Sequence, residues 1–203
     1  MFSFFKKQTH DSVEKQHEDL RSEPIGPHAM SGLDCDQLSN ASGPFGQNWN
    51  NPVPVNGLLG TYKYLGKLLS PAGVIFYFHR LGSISSEAAS NPVDAYELVD
   101  MNGKNWDILF LDMYHPRRSN TIPPGYRYKK YDKKMGDIPF AFGVDVYCEN
   151  FPYDLPETIE SRNNLAAFAR KVRERVSRGG FDRPESHALK VTAVRTKLAS
   201  IRT

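Results

Sequence analysis

The chain has 203 residues, 39% of them apolar and 24% charged, with a net charge of +3. That composition excludes wholesale disorder and suits one folded domain with appendages. No apolar run nears the roughly 20 residues a membrane helix needs, because the best of them, residues 74–78, stops at His79 and Arg80, so no membrane span is expected.

The opening MFSFFKK sets its apolar residues ahead of its lysines, the reverse of a secretory signal, and the expected location is the cytoplasm. Residues 1–48 read as a disordered leader. Their aromatics are confined to the first five residues and Phe45, too little apolar surface to offset the entropy of ordering. The folded core is expected over 49–181, with 182–203 a basic segment of helical character.

Within the core, NPVPVNG imposes an extended start, with Pro52 and Pro54 fixing the backbone and Gly57 and Gly60 permitting turns. Residues 61–69, TYKYLGKLL, fit two periods; the tyrosines and Thr61 favour a strand, and a strand is expected. After a turn at 70–73, VIFYFHRL has apolar residues on both alternating faces, as in a strand covered on both sides.

The clearest local signal is YELVDMNGKNWDILFLDMY. Its Asn102-Gly103 pair suits a tight hairpin turn, which sets Val99 opposite Trp106. Trp106, Ile108 and Phe110 then share one face, and Leu109, Leu111 and Met113 the other. Beyond the hairpin, HPRRSNTIPPGYRYKKYDKK carries seven basic residues and three tyrosines against one acid, Asp132. It reads as a loop followed by a short exposed strand, YRYKKY, whose lysines also discourage edge pairing.

FAFGVDVY, residues 140–147, is expected as another buried strand. From Ser161 the period changes to that of an amphipathic helix, with Leu165, Phe168, Val172 and Val176 on one stripe and Gly179-Gly180 as the stop. A weaker terminal helix over 186–201 would place Leu189, Val194, Leu198 and Ile201 near one face. Strands first and helices last imply a single α+β domain, a mainly antiparallel sheet with a packed C-terminal amphipathic helix.

Motifs for catalysis are sparse. No phosphate loop, dinucleotide fingerprint, serine elbow or zinc spacing occurs, so neither a cofactor nor a metal is expected. Cys35, between Asp34 and Asp36, and Cys148, in an apolar setting, are not expected to be nucleophiles. The catalytic candidates are His79, Asp112, His115 and Asp145 at or near strand ends. Asp112 shares the face of Trp106, Ile108 and Phe110, where a carboxylate must be paired, protonated or functional. Pairing with Arg80 or capping of the loop at HPRR is the structural alternative.

Three functions compete. The first is a protein-interaction module, adaptor or inhibitor-like, that meets an acidic surface on another protein through Arg80, Arg117, Arg118, Tyr126, Arg127, Tyr128, Lys129 and Lys130. Tyr and Arg are favoured interface anchors. The second is a hydrolase or transferase in which the Asp and His candidates work on an anion held by Arg80 and Arg117. The third is nucleic-acid binding by the same basic and aromatic residues, without any recognised binding motif beside them. The first is preferred.

Overall fold

In the computed structural model, which describes residues 38, 40–129, 142–163 and 165–200, the alternating runs of the middle of the chain form a five-stranded sheet. Its strands are β1 (Val53–Pro54), β3 (Phe76–Ile84), β4 (Val93–Asp100), β5 (Trp106–Asp112) and β7 (Gly143–Val144), in the spatial order β1-β5-β4-β3-β7. The three long central strands are antiparallel, while β1 and β7 add short parallel edges. A second, two-stranded sheet pairs β2 (Leu68–Leu69) with β6 (Arg127–Tyr128). The α+β class and its mainly antiparallel sheet are as expected.

The β4–β5 hairpin has the expected register, with Val99 opposite Trp106. Gly103 takes a left-handed φ of 74° at the turn, and Asp100 secures the connection by accepting the Lys104 amide at 2.9 Å and the Asn105 side-chain amide at 2.5 Å.

Strand alternation sorts the core between two faces. Phe76, Phe78, Tyr96, Leu98, Leu109 and Leu111 point to one side, where Tyr62, Tyr64 and Leu65 of helix α1 (Gly57–Leu65) cover them. Tyr77, Val99, Ile108, Phe110, Leu81 and Ala95 belong to the other side. Helices α2 (Leu155–Asn163), α3 (Ala166–Val176) and α4 (Glu185–Ser200) pack there.

Four local expectations are corrected. Residues 61–69 are not a strand: α1 runs through 57–65 and only Leu68–Leu69 is extended. Leu65 and the ring of Tyr62 reach the sheet at helical spacing, and burial against Phe78 overrides the β preference of Tyr and Thr. The strand expected over 140–147 is only Gly143–Val144, with residues 140 and 141 outside the described ones. The amphipathic helix begins at Ala166, not Ser161, because Leu165 is non-helical, with φ −103° and ψ 54°, and residues 155–163 form a separate helix. In α4, Leu189 is exposed, and His187, Val191, Val194 and Leu198 face the sheet instead; Ile201 lies outside the described residues.

Residues 45–47 also join the fold. Phe45 packs on the α1-side core, the Gly46 carbonyl accepts the Phe110 amide at 2.8 Å, and Gln47 donates to Asp107 at 2.8 Å. The expected leader otherwise falls largely outside the described residues. Among the described residues no helix is long and apolar enough to cross a membrane.

Candidate functional site

Each of the three acids of β4 is buried, and each has its own donors. Asp100 holds the hairpin turn. Asp94, on the α1 side, accepts the Arg80 guanidinium at 2.7 Å and the Ser83 hydroxyl at 2.8 Å. Glu97, on the opposite face and 0% exposed, lies at the centre of a larger cluster.

His79 Nε2 is 2.8 Å from Glu97 Oε2, and His187 Nε2 is 3.0 Å from Oε1. Arg183 donates through Nη2 at 3.1 Å to Oε2, while its Nε approaches Oε1 at 2.9 Å as an ion pair without hydrogen-bond alignment. The Cys148 amide donates to His79 Nδ1 at 2.9 Å. That acceptor role fixes the tautomer: Nε2 carries the proton and His79 is a neutral donor to Glu97. Phe151 stacks on the His79 ring at 4.3 Å, and Arg183 lies over Trp106 at 5.4 Å.

The electrostatics agree with this geometry. Burial pushes the Glu97 carboxyl upward, but hydrogen bonds from His187 and His79 and the charge of Arg183 outweigh it and hold the group at about 2. Burial keeps the His79 imidazole below its ordinary range despite the pull of Glu97. A carboxylate saturated in this way is a poor proton acceptor, and His79 has both ring nitrogens engaged. The cluster binds β3, β4, residue 148 and the α3–α4 connection together rather than offering a free catalytic base.

The catalytic candidates are divided among separate places. His79 belongs to the Glu97 cluster. Arg80 and Asp145 lie on the α1 side, Arg80 on Asp94 and Asp145 on the Tyr62 hydroxyl. Asp112 takes the capping role: it accepts the Tyr114 amide at 3.0 Å and the His115 amide at 3.1 Å. Burial pushes its carboxyl up while these two amides oppose the shift. His115 turns to its own loop, where Nδ1 accepts the Arg117 amide at 3.1 Å. Burial raises the Cys148 thiol to about 12, far from the thiolate form a nucleophile needs. Among the described residues no group of three or more His, Cys, Asp or Glu side chains is disposed to hold a metal ion.

Arg80 apart, the residues expected to bind a partner belong to one segment, whose described part runs along α1. The Val55 amide donates to the Asp112 carbonyl at 3.0 Å, the Gly57 amide to Met113 at 2.6 Å, and the Asn56 side chain to the Pro116 carbonyl at 2.6 Å. Further on, the Ser119 amide reaches Pro54 at 2.8 Å and the Tyr64 hydroxyl reaches the Thr121 carbonyl at 2.8 Å. Tyr126 and Tyr128 turn inward: the first packs on Phe76 and donates to Asp107, and the second packs edge-on against Tyr64. Arg118 and Arg127 are exposed, Arg117 and Lys129 partly so, and Lys130 lies outside the described residues.

Where the first turn of α1 meets this segment, three large apolar side chains face outward: Leu58 is 39% exposed, Leu59 47% and Tyr114 59%. Sequence reasoning did not select them. Leucine at a helix start reads as core, and only the pairing of Gly57 with Met113 brings the start of α1 to the segment that carries Tyr114. Glu97, Arg183 and His187 were missed as well, although a glutamate in phase with Ala95 and Val99 was a visible sign of a buried charge.

Comparison with protein-family models, with curated proteins and with solved structures found no match to this chain.

Proposed function

We propose that the protein acts by binding another protein, as an adaptor or inhibitor-like module, through the surface where the start of α1 meets residues 113–122. The observation that carries this reading is the exposed group Leu58, Leu59 and Tyr114 beside the exposed Arg118. Large apolar residues next to arginine form the usual centre of an interface. The carrying segments are tied to β1 and α1 by backbone and side-chain hydrogen bonds, so the surface is held in shape before a partner arrives and little ordering cost falls on binding.

Charge defines the partner. Residues 113–129 contain Arg117, Arg118, Arg127 and Lys129 and no acid, so the complementary surface is acidic with an apolar centre. In this reading the inward tyrosines, Tyr126 and Tyr128, build the scaffold, and Tyr114 takes the anchoring role.

The test is cross-linked affinity capture with the wild-type chain, Leu59→Glu/Tyr114→Ser and Arg118→Glu. Each substitution is at an exposed position, so thermal unfolding should stay close to that of the wild type. Recovery of one acidic partner should fall about tenfold or more, the usual effect of losing an interface anchor. Equal recovery with all three proteins would refute the proposal, and so would retention of nucleic acid that declines steeply with salt in place of a protein.

A further inference from the structure

We infer that His79 is a two-position pH switch: neutral, its ring holds the Cys148 amide, and protonated, it drops that amide and takes the Asp154 carboxylate, so that residues 148–154 change shape while the sheet stays folded. The starting observation is the direction of its hydrogen bonds. Nε2 donates to Glu97 at 2.8 Å and Nδ1 accepts the Cys148 amide at 2.9 Å, so both ring nitrogens are in use. A second proton can enter only at Nδ1, where it turns the acceptor into a donor aimed at a backbone N–H. Turning the ring over gives no relief, because both nitrogens of an imidazolium donate.

An acceptor for the new donor lies in the same segment. Asp154 uses Oδ2 to take the Asn150 amide at 2.9 Å, while its Oδ1 is buried and has no hydrogen-bond partner among the described residues. A buried oxygen without a donor is costly, and the charge of Asp154 favours the protonated form of His79. Exchanging the Cys148 amide for Asp154 Oδ1 removes the clash of donors and satisfies that oxygen in one step.

The other groups around His79 keep the change local. From β4, Glu97 retains its bond from Nε2 in either state, and its carboxyl, held at about 2, stays ionised. From the start of α4 and the connection before it, Arg183 opposes a charge on His79, and His187 shares the Glu97 carboxylate. From the segment itself, the Phe151 ring stacks on the imidazole at 4.3 Å, a contact that suits a cation as well as a neutral ring. Tyr147 lies 5.4 Å from the imidazole and carries the Arg195 guanidinium over its own ring at 4.0 Å. The Cys148 thiol, raised to about 12, stays protonated.

Burial and Arg183 set the switch below the ordinary imidazole value of 6.5, and Glu97 and Asp154 pull it back toward that value. Mild acid therefore reshapes residues 148–154 while Glu97 still clasps the last helix.

The experiment is NMR of the full-length protein, labelled with nitrogen and carbon isotopes and titrated from about pH 8 to about pH 4.5. The coupling transmitted through the hydrogen bond between the Cys148 amide nitrogen and His79 Nδ1 should be present at the start and vanish with the midpoint of the His79 ring signals. The Asp154 carboxyl carbon should shift with that same midpoint, and the β4 amides should keep their protection from hydrogen exchange throughout. His187 is followed separately by its own ring signals. Asp154→Asn, which removes the negative charge, should lower the His79 midpoint by about one pH unit. If that variant does not fold, the wild-type titration decides alone. A coupling that persists at the acid end, an Asp154 carboxyl that does not follow His79, an unmoved midpoint in Asp154→Asn, or loss of the coupling only together with β4 protection would overturn the inference.

Discussion

Glu97 shows how a single buried carboxylate can set a protein's response to acid. Its folded-state value of about 2 lies below the ordinary 4.5, so it contributes stability above pH 4.5 that disappears as pH falls toward 2. The shift corresponds to about 3 kcal/mol. His79, also depressed, is neutral when folded and takes up a proton more readily when unfolded, so its share begins to fade as pH drops below 6.5. Both losses have the same sign. Urea midpoints measured from pH 8 to pH 3 should be level at first, decline from about pH 6.5 and drop more steeply below about 4.5. Glu97→Gln should cost about 3 kcal/mol near neutrality, because Arg183 loses its counter-charge and one of the two acceptor oxygens becomes an amide donor facing other donors, and should flatten the steep part of the profile. A steep loss between pH 4.5 and 3 that survives in Glu97→Gln would assign the acid response elsewhere. Little of this was legible in advance: alternation marks Glu97 as inward, but its partners Arg183 and His187 stand 86 and 90 positions away.

At the scale of elements, what the sequence discloses depends on how local the deciding interaction is. The β4–β5 hairpin could be read with its register because Asn102-Gly103 and the alternation around it are neighbours in the chain. Helix α1 could not, because its deciding contacts are with Phe78 of β3 and with Val55 at the exit of β1. A Cβ at Gly60 would lie 1.5 Å from the Val55 carbonyl oxygen, so only glycine lets the helix seat against that strand's exit. At an open helical site, Gly→Ala is favourable by about 1 kcal/mol. Here the clash is with backbone and should win: Gly60→Ala is expected to lower stability by about 2 kcal/mol in urea titration. An unchanged or raised midpoint would mean that α1 can move off β1 without cost. The break between α2 and α3 was hidden for a related reason, since Leu165 keeps the apolar stripe in phase across a helix end.

Across the whole molecule, α4 is a structural member rather than a terminal appendage. Val191, Val194 and Leu198 cover Leu81, Ile84, Val93, Ala95, Ile108 and Phe110, and Lys197 lies 3.9 Å over the Trp49 ring. Truncation after residue 182 would remove this cover together with Arg183 and His187. The shortened chain should lose its cooperative thermal transition and bind a hydrophobic dye, as measured by calorimetry and fluorescence. A sharp transition in the truncated chain would show that residues 45–182 suffice.

The clasp on Glu97 also bears on biosynthesis. On a translating ribosome β4 is available long before its two distant donors exist, so the carboxylate must stay hydrated, and the central strand unfinished, until Arg183 and His187 have cleared the exit tunnel.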